Sequence, residues 1–240
     1  MGVKEKPTKE QVEAYLSQQT NWGRWKERPG AGTINLVTPE KTMEAAGLVQ
    51  NGRTVSLSRP FPVTPGPGNV KPAQHFLFES RGATGTYFSM DYIGVAYHGL
   101  ATTHIDAICH VYRPDGVMFE GLDCKKEVFF DGTGAKFGAV DEWSGGIITR
   151  GVLLDIPRLR GEPYVTVDSP VHGWDLEAAA EKQGITLRPG DAVIVYSGRD
   201  AFSRANGEWG GQEEKPGLHA SCLPFLREQD VAVLVWDMMD

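Results

Sequence analysis

Residues 97–111 read YHGLATTHIDAICHV and contain three of the chain's six histidines together with one aspartate. If this stretch is extended, alternate side chains share a face, which would place His98, His104 and Asp106 on the same side. Two imidazoles and a carboxylate form a ligand set for a divalent metal such as Zn²⁺ or Mn²⁺. The stretch therefore predicts a metal site, with His110 close enough to take and return protons.

The same residues also have a plainer interpretation. Pairs of the type His-x-Asp occur in hydrogen-bonded cores, so His104 and Asp106 would also fit a buried polar network. His110 could be a further ligand instead of a proton carrier. Cys109 is expected to be a small buried residue, because no adjacent base would activate it as a nucleophile. Spacing alone leaves the ligand and network interpretations open.

The composition is that of a globular protein with room for a sizeable core. The chain has 240 residues, 40% of them hydrophobic and 23% charged. Its net charge of −7 argues against nucleic acid as a partner. Three cysteines without CxxC spacing favour a reducing compartment. With neither a signal peptide nor a long apolar run, the chain is expected to be soluble and cytoplasmic, without membrane association.

Two helix starts are visible in the N-terminal part. Thr8 and Gln11 match a capping box, followed by apolar residues at helical spacing. Thr38, with proline at the next position, marks a second start. The segment RTVSLS at 53–58 reads as a strand, and the loop at 59–72 is dense in proline and glycine.

The remainder alternates between strands and helices. Helices are predicted from Asp175 to Gln183 and from Ala220 to Gln229, with a glycine-rich loop after Gly198. Apolar and β-branched runs predict strands within 74–80, 86–99, 126–130, 146–157, 190–198 and 231–237. The runs in 146–157 and 190–198 are typical of buried strands. The sequence therefore predicts an α/β fold with a mixed sheet, flanking helices and a single domain.

Motifs for other chemistries are missing from the sequence. It has neither the GxSxG of serine hydrolases nor the GxxxxGK[ST] of a P-loop. The segment DGTGAKFG at 131–138 misses the dinucleotide-binding spacing by one residue, so a turn is expected there. His75 and His172 are expected at the surface, and His219 in a pocket.

The segment TTHIDAICH, at 102–110, resembles the HxGTHxDxxxH signature of the cyclase family of metal-dependent hydrolases. This family includes bacterial kynurenine formamidase and isatin hydrolase. The likeness extends from about Thr33 onward and includes VSLSRPFP (55–62), ITRGVLLDIPRLRG (148–161), GDAVIVYSGR (190–199) and PGLHASCLPFLREQDVAVLVWD (216–237). The residues before Thr33 resemble the N-terminal extension of the family's longer branch.

The resemblance implies a swivelling β/β/α-type fold, usually in a homo-oligomer, with Zn²⁺ or Mn²⁺ as cofactor. Family members hydrolyse amide, formamide or lactone bonds, often in aromatic or cyclic small molecules. By position, His104 and Asp106 match metal ligands, and His110 matches the catalytic histidine.

The chain departs from the family pattern in two places. Leu100 stands where the family has its first ligand histidine, and His98, two residues earlier, is the candidate replacement. The family also carries a further histidine and glutamate in a C-terminal segment that this chain lacks. We therefore expect an extension at 1–32 and a hydrolase domain at 33–240 that is incomplete at its C-terminus.

The expected function is that of a metal-dependent hydrolase that cleaves an amide, formamide, cyclic imide or lactone bond with an activated water. Phe61 and His219 are the candidate substrate-binding residues. Two alternatives remain: a non-catalytic metal- or ligand-binding member of the fold, and a lyase or cyclase on the same scaffold.

Overall fold

The computed structural model describes residues 5–18, 20–208 and 215–237. Its α-helices are α1 (Lys9–Gln18), α2 (Pro39–Gly47), α3 (Cys124–Glu127), α4 (Ile156–Arg160), α5 (Gly173–Lys182), α6 (Arg199–Asn206) and α7 (Cys222–Glu228). Its strands are β1 (Gln74–Arg81), β2 (Tyr87–Gly94), β3 (Val128–Phe129), β4 (Gly134–Ala135), β5 (Gly151–Asp155), β6 (Ala192–Tyr196) and β7 (Val233–Trp236). Four 3₁₀ helices span Pro29–Leu36, Ile108–His110, Phe119–Gly121 and Val140–Trp143.

The chain divides into two compact units. The first comprises the described parts of Met1–Gly52, Asp106–Arg204 and Lys215–Asp240. The second comprises Arg53–Ile105 and residues 205–208, the described part of Ala205–Glu214. The first unit contains β3 to β7, whereas the second contains the hairpin of β1 and β2.

A parallel sheet in the order β5-β6-β7 forms the centre of the first unit. Val152, Leu154, Val193 and Val195 are buried on one face of it. Leu153, between two buried neighbours, is 51% exposed, so β5 is covered on one face only. The prediction of a mixed α/β fold is confirmed. The prediction that β5 is fully buried is not, because apolar residues occupy both faces of β5 and only one face is packed.

A buried carboxylate fixes α2 to this sheet. Asp191 is fully buried, and its Oδ1 accepts hydrogen bonds from Lys41 Nζ at 2.6 Å and from Arg150 Nε at 3.0 Å. Burial opposes ionisation, yet the hydrogen bonds from Arg150 and Lys41 hold the pKa of Asp191 below its ordinary value. The cluster is therefore an ion network whose charges neutralise one another within the core.

Both predicted helix starts are confirmed. Thr8 and Gln11 exchange hydrogen bonds at the start of α1, with the backbone amide of each donating to the side chain of the other. Thr38 Oγ1 accepts from the backbone amide of Lys41, and Pro39 is the first residue of α2. Local signals sufficed here because a cap depends on residues only three positions apart.

Two local predictions are wrong, and a third is confirmed only in part. Residues 53–58 form no strand, and at 126–130 the end of α3 precedes a strand of only two residues, β3. The loop predicted after Gly198 contains α6, and residues 209–214 lie outside the described residues. β-propensity without a hydrogen-bonding neighbour does not make a strand. Among the described residues, no helix is long and apolar enough to cross a membrane.

Candidate metal site and proton carrier

The stretch at 97–111 is irregular and not extended. Strand β2 ends at Gly94, residues 98–102 bend, and a 3₁₀ turn covers Ile108–His110. The prediction that alternation along a strand aligns the ligands is therefore wrong. The candidate side chains are positioned by bends and by a turn, which a two-residue period does not describe.

In the second unit, His98 and His104 lie together. Their ring centroids are 5.4 Å apart and the rings are perpendicular. His104 Nδ1 lies 2.7 Å from the carbonyl oxygen of Thr102. A carbonyl only accepts, so Nδ1 carries the proton and Nε2 of the neutral ring keeps its lone pair. This is the tautomer of a histidine that binds a metal through Nε2 while a backbone carbonyl orients the ring.

In the first unit, Asp106 and His110 form a second pair. His110 Nε2 lies 3.9 Å from Asp106 Oδ1, and both side chains are partly open to solvent. His110 is the last residue of the 3₁₀ turn, and its amide donates to the carbonyl of Ala107 at 2.9 Å. The four-residue spacing thus brings the imidazole close to the carboxylate through a turn.

Within these two pairs, His98, Asp106 and His110 can each offer one ligand atom to a metal ion. Two imidazoles and a carboxylate suit a borderline cation such as Zn²⁺ and leave coordination positions for water and substrate. The donor set therefore fits a divalent metal. This group includes His110, for which the sequence predicted proton transfer, and does not include His104, for which it predicted ligation.

Two glycines hold the turn that carries His110. A side chain at Gly32 would overlap Ile108 Cδ1, and Gly32 has a φ of 54°. A Cβ at Gly138 would lie 3.2 Å from Ile108 Cβ, and the carbonyl of Gly138 accepts from the amide of Cys109 at 3.0 Å. The turn therefore packs directly against the backbone of Gly32 and Gly138, where any side chain would crowd Ile108. Sequence reasoning assigned 131–138 to a turn, as found, but missed this contact.

Cys109 has no features of a nucleophile. Burial raises the pKa of its thiol, and Asp141 contributes in the same direction. A thiol with a raised pKa carries little thiolate at neutral pH.

The proline-rich loop at 59–72 is tied to the ligand stretch. The backbone amide of Arg59 donates to Thr103 Oγ1 at 3.0 Å. Asn69 Nδ2 closes the loop by donating to the carbonyls of Pro62 and Thr64. Phe61, the predicted substrate contact, is 48% exposed, two residues from the tie to Thr103.

His219 lies in a different part of the first unit, beside His172. The ring centroids of these two histidines are 4.6 Å apart, and His172 stacks on Trp174 at 4.1 Å. His172 is 6% exposed, so the prediction of a surface position is wrong. Burial lowers the pKa of both histidines. Sequence context failed because Ser221, which bonds His172, is 49 residues away.

Comparison with known proteins identifies the family. The Cyclase family model matches residues 54–240, which is well over half of the chain. The chain belongs to the cyclase family. The matched residues include the ligand stretch. They also include the four other segments on which the resemblance was based, at 55–62, 148–161, 190–199 and 216–237.

A solved structure agrees with this membership. A protein whose structure is titled as that of a novel cyclase superposes with a TM-score of 0.74 at 25% sequence identity, covering 90% of this chain and 75% of that chain. No curated protein matches the chain. The cyclase fold is thus shown by structure, and membership of the family supports an enzymatic function.

Proposed function

We propose that this cyclase-family chain is a metal-dependent hydrolase that cleaves an amide, formamide, cyclic imide or lactone bond in a small molecule. The pair of Asp106 and His110 in the first unit, with Oδ1 and Nε2 3.9 Å apart, carries the proposal, and the pair of His98 and His104 in the second unit provides the further imidazoles. The motif His104-x-Asp106-x₃-His110 and the family match support it.

His98, His104 and Asp106 are the proposed ligands. Since the Thr102 carbonyl lies at Nδ1, Nε2 is the nitrogen through which His104 would bind a metal, and Asp106 would contribute a carboxylate oxygen. When bound, Zn²⁺ or Mn²⁺ supplies Lewis acidity, which makes water more acidic and a carbonyl more electrophilic. His98 takes the place of the histidine that Leu100 replaces.

His110 is the proposed proton carrier. Its Nε2 accepts a proton from the attacking water and returns it to the departing nitrogen or oxygen. Asp106 Oδ1 lies 3.9 Å from His110 Nε2. The turn anchored on Gly32 and Gly138 holds the ring in position.

The substrate is proposed to be aromatic or cyclic. Phe61 presents a half-exposed ring two residues from Arg59, whose amide donates to Thr103 of the ligand stretch. A planar group could lie against this ring. His219 Nε2 carries the proton of its neutral ring, since Nδ1 accepts from the amide of Ser221, and it is a proposed donor to substrate oxygen.

The test is hydrolysis of a panel of N-formyl amines, cyclic imides and lactones by the full chain. We expect turnover of at least one class, lost on chelation and restored by Zn²⁺ or Mn²⁺. The His75→Ala variant is the control, because His75 is an exposed histidine paired with Asp91 outside the ligand stretch. Full metal content without chelator-sensitive turnover of any class would favour the non-catalytic alternative to which the Leu100 departure points.

A further inference from the structure

An open cavity of about 700 Å³ is lined by three helices of the first unit. Tyr15 lines it from α1, Trp174 from α5 and Phe225 from α7. Clefts of roughly 300–1,000 Å³ are the size that holds small organic molecules. None of the described residues that line this cavity belongs to the stretch at 97–111, so it is a feature separate from the candidate metal site.

Helical spacing directs side chains of α5 and α7 towards this cavity. Trp174, Glu177 and Glu181 follow one another at intervals of three and four residues, and all three line the cavity from α5. Phe225 and Glu228, three residues apart, do the same from α7. Each of these helices therefore presents a face that combines an aromatic ring with a carboxylate.

The cavity wall carries negative charge without a compensating cation. The described residues that line it include no lysine, arginine or histidine, but they include four glutamates, Glu5, Glu177, Glu181 and Glu228. None of the four forms an ion pair within the described ranges, whereas Asp175, Asp191 and Asp230 of the same unit are each paired with an arginine. Like charges four residues apart, as in Glu177 and Glu181, weaken a helix. A bound cation would remove this repulsion.

Aromatic rings give the cavity a second property that suits an organic cation. Tyr15, Trp174 and Phe225 are all only partly buried. The ring of Trp174 stacks on His172 at a centroid distance of 4.1 Å, which fixes its orientation. Ammonium groups are attracted to the faces of aromatic rings, and methylene chains pack against them. A metal ion alone would use the carboxylates but not the rings, and it would fill only a small part of the volume.

The histidines beside the cavity add no positive charge to it. Ser221, which lines the cavity, bonds to His172 through its hydroxyl and to His219 through its amide. Burial lowers the pKa of both rings, and Lys6 makes a smaller contribution in the same direction. A cationic ligand would therefore meet neutral imidazoles on this side.

We propose that this cavity binds an organic cation in which a methylene chain joins two or more ammonium groups, a linear polyamine. The ammonium groups lie against the glutamates, because the four carboxylates match more than one positive charge. The methylene chain lies along the rings of Tyr15, Trp174 and Phe225. The proposal concerns binding outside the ligand stretch and does not rest on the proposed hydrolysis.

Isothermal titration calorimetry of the full chain with spermidine tests the proposal. We expect saturable binding of about one equivalent, which weakens on the order of tenfold when the ionic strength rises from about 0.01 to 0.1 M, because the carboxylates are open to screening. The neutral control is 1,8-octanediol, which has the same chain length without ammonium groups and should not bind. This comparison uses the unmodified protein and does not depend on a variant folding.

Two variants test the roles of charge and ring. Glu177→Gln should weaken spermidine binding about fivefold, because an exposed carboxylate contributes modestly. Glu13→Gln is the matched control, since Glu13 is an exposed glutamate of α1 that does not line the cavity, and its affinity should change less than about twofold. Tyr15→Leu should weaken binding about threefold through loss of the ring.

Four results would overturn the proposal. They are the absence of saturable spermidine binding, equal binding of 1,8-octanediol, equal effects of Glu177→Gln and Glu13→Gln, and unchanged affinity in Tyr15→Leu. The first would show that the cavity takes no polyamine, the second that charge is not recognised, the third that only the net charge of the chain attracts the probe, and the fourth that the rings make no contact with it.

Discussion

Two pairs of histidines lie at similar ring separations in opposite surroundings. His172 and His219 have centroids 4.6 Å apart, and His172 is buried. His98 and His104 have centroids 5.4 Å apart, with His98 exposed and His104 half-buried. Both pairs bring two imidazoles together, but they differ in burial and in the groups that bond their ring nitrogens.

The hydrogen bonds explain the difference in role. Ser221 engages both rings of the buried pair, its hydroxyl at His172 Nδ1 (2.9 Å) and its amide at His219 Nδ1 (3.1 Å). This pair joins the start of α5 to the start of α7 and stays neutral, because burial lowers both pKa values. In the pair of His98 and His104, His104 Nδ1 lies 2.7 Å from a backbone carbonyl, which fixes the tautomer of the neutral ring. Proximity of histidines is thus not enough to indicate a metal site; burial and tautomer decide.

The largest expected effect is the loss of hydrolysis when His104, of the His98–His104 pair, is replaced. His104→Ala should lower chelator-sensitive hydrolysis by about a thousandfold or more, because a ligand is removed. It should hardly change the free energy of unfolding, since the ring is only part-buried. His75→Ala provides the reference in both the hydrolysis and the urea-unfolding measurement. Equal activity of the two variants would contradict the assignment of His104 as a ligand.

The second effect concerns His110. His110→Ala should reduce kcat on the order of a hundredfold, as expected for loss of a general base, while the metal content stays at the wild-type level. Steady-state kinetics and elemental analysis of the same preparation are the measurements. Loss of the metal together with kcat would make His110 a ligand and would move the proton-transfer role elsewhere.

A smaller effect is expected from the glycine under the turn. Gly138→Ala should lower kcat about tenfold, because the new Cβ pushes on Ile108 and displaces His110. Gly132→Ala is the matched control: Gly132 also has a positive φ, 92° against 69°, but no atom lies within 4 Å of its added Cβ. If both variants lose the same activity, backbone strain and not the contact is responsible.

The smallest effect is the pH dependence of the buried pair. Burial holds the folded pKa values of His172 and His219 below the ordinary value of about 6.5, so as the pH falls the unfolded chain takes up these protons before the folded chain does. Their contribution to stability is present above pH 6.5 and is lost as the pH falls below it, by at most about 1.4 kcal/mol per pH unit and group. Urea unfolding of wild type and His219→Gln measures this slope, which the variant should reduce. An unchanged slope would contradict a neutral pair.

The sequence predicted those parts of the fold that depend on neighbours in the chain. The capping box at Thr8 and the cap at Thr38 involve contacts three residues apart, and apolar runs marked the parallel strands. The segment at 53–58 has similar residues but no partner strand, and partners are chosen by tertiary structure.

The candidate site was predictable for a similar reason. Its residues occupy thirteen positions of one stretch, from His98 to His110, and their identities favoured a metal site over a buried polar network. Their arrangement was not predictable, because it depends on Gly32 and Gly138 packing against the turn. The burial of His172 likewise depends on Ser221, which no local pattern connects to it.

The most direct test of the account is the metal content of the purified full chain after exposure to Zn²⁺ or Mn²⁺, measured by elemental analysis. We predict about one equivalent or more per chain, a large loss in Asp106→Asn, and no loss in Asp91→Asn, which alters an exposed aspartate paired with a histidine outside the ligand stretch. A wild-type chain without bound metal, or an Asp106→Asn variant with full content, would contradict it.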